Sequence, residues 1–201
     1  MNSGQRTLKR GIDLFGGGLI ALLSLPVVAV CALAVRIDSR GPVFYRQTRS
    51  GLDGDRFEII KLRTMVVGAE SLGAGMAVDE GDARITRVGG FLRRWSLDEL
   101  PNIWNVLSGE MSLVGPRPTL PEQVADYSEH QRRRLSVRPG ITGWAQVSGR
   151  ASLPWSERIE LDIWYIDNAS LRLDLKILFA TARMVVTGSG LYRGETGGWE
   201  R

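Results

Sequence analysis

The stretch Arg93-Arg94-Trp95-Ser96-Leu97-Asp98-Glu99-Leu100-Pro101-Asn102 sets two carboxylates beside two guanidinium groups and closes near a proline. Adjacent carboxylates on a helix point roughly 100° apart, so they cannot share one task symmetrically. They can divide it, one attacking an electrophile while the other helps to hold a divalent cation. A structural account competes: Ser96 and Glu99 have the spacing of a capping box, and acidic residues suit a helix N-terminus. Pro101, however, lies too deep for a first-turn proline if Ser96 is the cap, so an irregular start is expected. Two further stretches carry charge suited to phosphate. In Gly115-Pro116-Arg117-Pro118 the arginine stands between prolines and loses little conformational entropy on engaging an anion, although a solvated surface turn would look the same. Lys61 and Arg63, two residues apart in Phe57-Glu58-Ile59-Ile60-Lys61-Leu62-Arg63-Thr64-Met65, share one face of a strand; alone, they read as edge-strand charges.

The remainder of the chain narrows the chemistry. Of its 201 residues, 26 are Lys or Arg and 22 are Asp or Glu, a net charge of +4 that suits an anionic membrane, a phosphorylated substrate or nucleic acid without choosing among them. The single histidine, His130, excludes a multi-histidine metal site and reads as a solvated residue in a polar, arginine-rich helix. The single cysteine, Cys31, excludes an intrachain disulfide. Catalysis, if present, is expected to run on carboxylates.

These groups need elements to position them. No residue from Leu14 to Val35 is charged, a run long enough for a transmembrane helix. Asp13 at its edge and the lack of a small-residue cleavage site argue against a signal peptide. Pro26 lacks an amide hydrogen and its ring clashes with the preceding turn, so a bend or break is expected there, with Ser24 available to bond a freed backbone group. Lys9 and Arg10 precede the run, and Arg36 and Arg40 follow it. A spanning helix puts one basic pair on the wrong side, whereas a hairpin entering and leaving by one leaflet satisfies both. On these grounds alone both remain open.

Beyond the run, residues 43–47 and 56–62 read as a β-hairpin, and residues 66–83 as a glycine-rich surface loop. Residues 84–107 carry a helical pattern interrupted near Ser96 and Pro101, and 108–121 form a stiff loop. Two helices close the chain. The second puts Leu175, Leu178, Phe179, Ala182, Val185 and Val186 on one face, with Asp174 as candidate cap and Gly188 as its end. Trp144, Trp155 and Trp164 are expected in the core or at a membrane interface, with at least one at the interface.

Taken in order, Lys9-Arg10 with the apolar run, Ile60-Lys61-Leu62-Arg63-Thr64-Met65, Ser96-Leu97-Asp98-Glu99-Leu100-Pro101, Met111-Ser112-Leu113-Val114-Gly115-Pro116-Arg117-Pro118 and the stretch from Arg138-Pro139-Gly140 through Gly149-Arg150 resemble the bacterial sugar transferases, the monotopic phosphoglycosyl transferases. The resemblance runs from about Leu8 to about Gly188. It implies an α+β, mostly helical fold: a re-entrant membrane helix hairpin over 1–36, a small cytoplasmic catalytic domain over 37–188 with a short β-hairpin and interfacial helices, and a flexible tail over 189–201. It implies Asp98 and Glu99 as a catalytic and metal-holding dyad with magnesium, a covalent phosphosugar on Asp98, and Lys61, Arg93 and Arg117 binding phosphates. Arg63 and Pro118 belong to the same motifs and are carried over as substrate-binding, with Lys9 and Arg10 as the basic pair at the membrane surface. Family members usually place Ser directly before Pro at the membrane break; here Leu25 separates Ser24 from Pro26, which puts the geometry of the break in doubt. The chain resembles the family's minimal form, without additional N-terminal helices.

The implied reaction moves a sugar-1-phosphate from a UDP-sugar to polyprenyl (undecaprenyl) phosphate, giving polyprenyl-diphospho-sugar and UMP, at the cytoplasmic face of a bacterial inner membrane. It would be the first membrane step of a glycan pathway. Its partners are the donor, the acceptor and the bilayer, with a homodimer left open and no nucleic acid. A glycosyltransferase would instead release UDP. A membrane-tethered nucleic-acid binder would account for the arginines, but these are scattered among acidic residues and no familiar recognition motif appears.

Overall fold

A computed structural model describes residues 1, 3–72, 78, 81–149 and 153–187. The expected tail over 189–201, the end of the last helix at Gly188, Arg150 and the middle of the 66–83 loop lie outside the described residues.

The apolar run lies within one helix, α1 (Ser3–Asp38), about 54 Å long at 1.5 Å per residue. The assignment continues through Pro26, so the expected break takes no residue out of the helix. Ser24 Oγ donates to the Ala21 carbonyl, 3.3 Å away, rather than to the carbonyl four residues before the proline. Only Asp13, Gly17, Cys31 and Val35 are buried. Both ends pack on the same body. Near the N-terminus a Cβ on Gly17 would stand 3.4 Å from Leu107 and Val106, so the glycine lets the two helices approach; Asp13 accepts the Leu113 amide at 3.0 Å. Near the C-terminus Cys31 and Val35 pack with Leu62 and Leu92, and Asp38 accepts the Val88 amide at 3.0 Å. Between these anchors the surface is apolar and open: Leu22, Leu23, Leu25 and Val30 are all more than half exposed.

Strands β1 (Phe44–Ser50) and β2 (Arg56–Leu62) form the hairpin, longer on its first arm than the sequence suggested. Its antiparallel register pairs Tyr45 with Lys61 and Arg49 with Phe57, so Tyr45, Gln47, Arg49, Ile59 and Lys61 share one face. Helix α2 (Arg87–Arg94) is capped by Thr86, whose side chain accepts the Gly89 amide. A 3₁₀ turn (Leu97–Asn102) then leads into α3 (Ile103–Ser108). Strand β3 (Ser112–Val114) pairs in parallel with β4 (Gly140–Thr142). Between them lie α4 (Pro121–Ala125) and α5 (Glu129–Arg132). The chain continues with α6 (Trp144–Ser148), α7 (Trp155–Asn168) and α8 (Leu171–Thr187). The fold is thus mostly helical with two small sheets. Its main core gathers Phe57 and Ile59 from β2, Ile103 and Val106 from α3, Leu113 and Val114 from β3, Tyr165 from α7 and Ile177 from α8.

Two local expectations change. Asp174 does not cap α8; Ser170 Oγ accepts the Leu173 amide at 3.2 Å, while Asp174 is buried one turn further in. The apolar face of α8 turns outward at Leu175, Phe179 and Val186, because the core is reached through Ile177 and Leu178. Trp155 lies over the Arg134 guanidinium, Trp144 packs on Trp164 with centroids 5.2 Å apart, and His130 is on the surface beside Glu160.

Candidate active site

The dyad lies on the 3₁₀ turn, and the irregular start foreseen from Pro101 is present. Ser96 adopts φ 54°, in the left-handed region, and its side chain does not cap the turn, so the capping box does not form. Asn102 fastens the turn to the hairpin by accepting the Ile60 amide at 3.1 Å. This brings Asp98 and Glu99 against the Lys61 face of β2.

Glu99 Oε1 accepts from Lys61 Nζ at 2.6 Å and from Arg117 Nη2 at 2.8 Å. Both cations meet one oxygen, leaving Oε2 for a further ligand. The carboxyl of Glu99 is held well below the usual range; burial pushes it up, but Arg117 and Lys61 outweigh that. Asp98 makes no salt bridge among the described residues. Burial and then the Glu99 charge push its carboxyl up to about 6, against the pull of Lys61 and Arg93. Two adjacent carboxyls are therefore driven apart, an arrangement associated with functional sites.

Arg117 is positioned by its neighbours. A Cβ on Gly115 would lie 2.4 Å from the Arg138 carbonyl, so only glycine lets the segment after β3 press against β4. The Arg117 carbonyl accepts from Arg134 Nη2 at 3.3 Å, and the Pro118 carbonyl from Arg49 Nη1 at 3.3 Å. The main chain is pinned on both sides while the Arg117 side chain stays half exposed.

Other candidates lie apart from this cluster. Arg63 is buried and donates to the Pro42 and Ser39 carbonyls at 2.6 and 2.9 Å, where it holds the exit of α1. Lys9 pairs with Asp174 at 2.6 Å. Arg10 donates to the Val106 and Leu107 carbonyls at 2.7 and 3.2 Å, at the end of α3 opposite the dyad turn. Lys9 and Arg10 line a cleft of about 210 Å³ with Arg6, Arg138 and Tyr165, which shares no lining residue with the dyad. Arg93 acts on Asp98 by charge from the last turn of α2.

Sequence reasoning missed Arg49, Gln47 and Tyr45. The signal was their period-two spacing opposite Lys61, but a first strand ending at residue 47 left Arg49 in the turn. It also missed Asn102, and Arg134 with Asp162, whose sequence separation hides their contact.

Among the described residues no cluster of three or more metal-ligating side chains occurs. A divalent cation here would take one or two carboxylates from Asp98 and Glu99 and its other oxygens from phosphate and water. That donor set fits magnesium.

A profile of the family described as bacterial sugar transferase matches residues 4–188. The chain belongs to this family. It is a transferase, and its relatives are named accordingly. It is 44% identical over 184 residues to an "uncharacterized sugar transferase EpsL" of Bacillus subtilis, covering 92% of this chain and 90% of that protein. It is 46% identical over 185 residues to the "UDP-glucose:undecaprenyl-phosphate glucose-1-phosphate transferase" of Escherichia coli, covering 88% of this chain and 40% of that protein. It is 42% identical over 189 residues to the "UDP-N-acetylgalactosamine-undecaprenyl-phosphate N-acetylgalactosaminephosphotransferase" of Aeromonas hydrophila, covering 91% of this chain and 44% of that protein. The chain therefore spans nearly all of the first relative and less than half of the other two.

Proposed function

We propose that this transferase moves a sugar-1-phosphate from a UDP-sugar onto polyprenyl (undecaprenyl) phosphate, releasing UMP, with Asp98 as nucleophile. The observation that carries the reading is the split dyad: a buried aspartate with no salt bridge among the described residues, beside a glutamate held ionised by Lys61 and Arg117. The names of the Escherichia coli and Aeromonas relatives support the reaction class.

In the first step an Asp98 carboxylate oxygen attacks the sugar-bearing phosphorus of the donor. The new Oδ–P bond forms as the bond from that phosphorus to the bridging oxygen breaks, and UMP departs with the electron pair. In the second, a phosphate oxygen of the polyprenyl phosphate attacks the same phosphorus and the Oδ–P bond breaks, regenerating the carboxylate. Arg117 and Lys61 neutralise and orient the phosphate oxygens, and Arg93 adds positive potential at Asp98. Magnesium, held by Asp98 and Glu99, would supply charge neutralisation of the diphosphate. Taking the substrates in turn lets two anions use one cationic site.

The acceptor places this chemistry at a bilayer surface. We read α1 as a re-entrant element bent near Pro26, with the catalytic body on the cytoplasmic face of the inner membrane, where nucleotide sugars are available. Supporting this are the anchoring of both ends of α1 to one body and the exposure of its middle. The helix is long and apolar enough to cross a membrane by length and composition. The outward Leu175, Phe179 and Val186 of α8, with Trp104 more than half exposed on α3, suit helices lying in the interface.

The test is nucleotide release by the full chain in nanodiscs with magnesium, undecaprenyl phosphate and a panel of UDP-sugars. UMP is expected. UDP as the sole product would establish plain glycosyl transfer and remove Asp98 from the nucleophile's role.

A further inference from the structure

Glu99 is shared by Lys61 and Arg117, yet a third cation, Arg49, stands on the same wall. It projects from β1 on the face that also carries Gln47, Tyr45 and Lys61. Its hydrogen-bond partners are neutral: Nη1 donates to the Pro118 carbonyl at 3.3 Å, and Nη2 donates to Gln47 Oε1. Its Nε is buried and has no hydrogen-bond partner among the described residues.

A guanidinium so placed is expensive. Burial, followed by repulsion from Arg117, lowers its pKa to about 10, and the carboxylates of Glu99 and Glu70 only partly compensate. A stabilising role alone would be served by a neutral donor reaching the Pro118 carbonyl. Two guanidiniums brought together, one tied to the main chain beside the other, form instead a preorganised receptor for an anion with several oxygens.

We propose that Arg49 is a donor-binding residue: with Arg117 it takes phosphate oxygens of the nucleoside diphosphate portion of the donor, and Gln47 holds it in that orientation. This rests on the sugar-phosphate transfer reading above and adds a residue to it. Arg49, Arg117 and Lys61 together outnumber the charges of the dyad.

The experiment compares wild type with Arg49→Gln, Arg49→Lys and Arg46→Gln, all as full chains in nanodiscs. Arg46 lies on the opposite face of the same strand, 64% exposed and 3.5 Å from Glu58, so its variant controls for loss of one positive charge from the hairpin. The probes are UDP and uridine, by titration calorimetry or competition. Arg49→Gln is expected to weaken UDP binding by about tenfold or more while leaving uridine unchanged, since charge-assisted bonds to phosphate are lost and base contacts are not. Arg49→Lys keeps the charge without the planar fork and should fall between, and Arg46→Gln should match wild type. In the UMP-release assay the KM for the UDP-sugar should rise in Arg49→Gln by more than that for undecaprenyl phosphate.

Wild-type UDP affinity in Arg49→Gln, an equal loss for uridine, or a shift confined to the acceptor KM would each overturn the proposal. A thermal melt excludes misfolding, and the lysine variant supplies the test should the glutamine variant fail it. Wild type that binds UDP through Arg49 but releases no UMP from any UDP-sugar would sink the transfer reading and leave the phosphate contact standing. Wild type that binds no UDP would sink both.

Discussion

Arg117 joins two ion-pair clusters of similar composition and opposite character. Its side chain meets Glu99 and, through it, Lys61, in a cluster where Arg117 itself is 48% exposed. Its carbonyl meets Arg134, which pairs with Asp162 at 2.5 Å and is sealed, with side-chain exposures of 3% and 2%. Arg134 also donates to Tyr127 Oη and lies under the rings of Tyr127 and Trp155. Distances hardly distinguish the two clusters; access does. In the sealed pair charge is spent on holding α7 behind the Pro116-Arg117-Pro118 turn. In the open cluster two cations meet one carboxylate, and the other, Asp98, makes no salt bridge among the described residues. A short salt bridge is therefore a poor marker of function, and surplus charge with access is a better one.

The contrast is broken most sharply by substitution on each side. Asp98→Asn removes the proposed nucleophile but little packing, so UMP release should fall by about a thousandfold or more. The melting temperature should hold or rise, because a carboxyl raised to about 6 by burial and by Glu99 is unfavourable when ionised. Retained activity would deny Asp98 its role. On the sealed side, Asp162→Asn strands the Arg134 charge and should cost about 3–5 kcal/mol of stability, read from a denaturation midpoint. Arg134→Met combined with Asp162→Leu should recover much of that loss, since apolar replacement of a buried pair is often neutral. If the double variant is as unstable as the single one, the pair is doing more than filling space.

A milder change probes the residue that both clusters share. Arg117→Lys retains the charge near Glu99 but loses the planar fork, so kcat/KM should drop about ten- to a hundredfold. Its melting temperature should move far less than that of Asp162→Asn, because the main-chain bond from Arg134 is untouched. Equal losses of stability in the two variants would erase the distinction between open and sealed.

The open cluster was more legible from the sequence than the sealed one. Asp98-Glu99, Lys61 and Arg117 come from three motifs, and the resemblance named all of them; the structure brings Lys61 and Arg117 within hydrogen-bonding reach of Glu99, with Asp98 next to it in the chain. Pro101 announced an irregular turn, and the turn is 3₁₀. The Arg134–Asp162 contact joins positions 28 residues apart, and nothing local encodes it. Arg134 is one of three consecutive arginines in a polar stretch, and nothing local marks it as the one that turns inward. Asp174 failed as a cap for a related reason: capping is a local pattern, but Lys9 reaches that carboxylate from the far end of the chain and Tyr165 from the preceding helix. Arg49 escaped because a strand boundary three residues short moved it off the Lys61 face.

The smallest effect concerns pH, and it tests why the open cluster works. In the proposed mechanism only ionised Asp98 attacks, and its fraction falls as pH drops through the folded-state value. Activity should therefore be nearly flat from pH 8 to 7 and decline below about 6, approaching tenfold per pH unit once the group is protonated. Glu99, held well below the usual range, stays ionised through that window and adds no second limb. Replacing Glu99 by Gln removes a like charge beside Asp98 and frees Lys61 and Arg117 to act on it, and both changes favour the carboxylate. The apparent pKa should move down, whether followed on the residual rate or by carbon-13 NMR of the carboxyl. It should not return all the way to a solvated value, because burial is the largest cause of the shift and survives the substitution. A limb that stays near 6 would assign the whole shift to burial and leave Glu99 as a holder of cations, whereas a limb at the solvated value would mean that the turn opens to water when Lys61 and Arg117 lose their anchor.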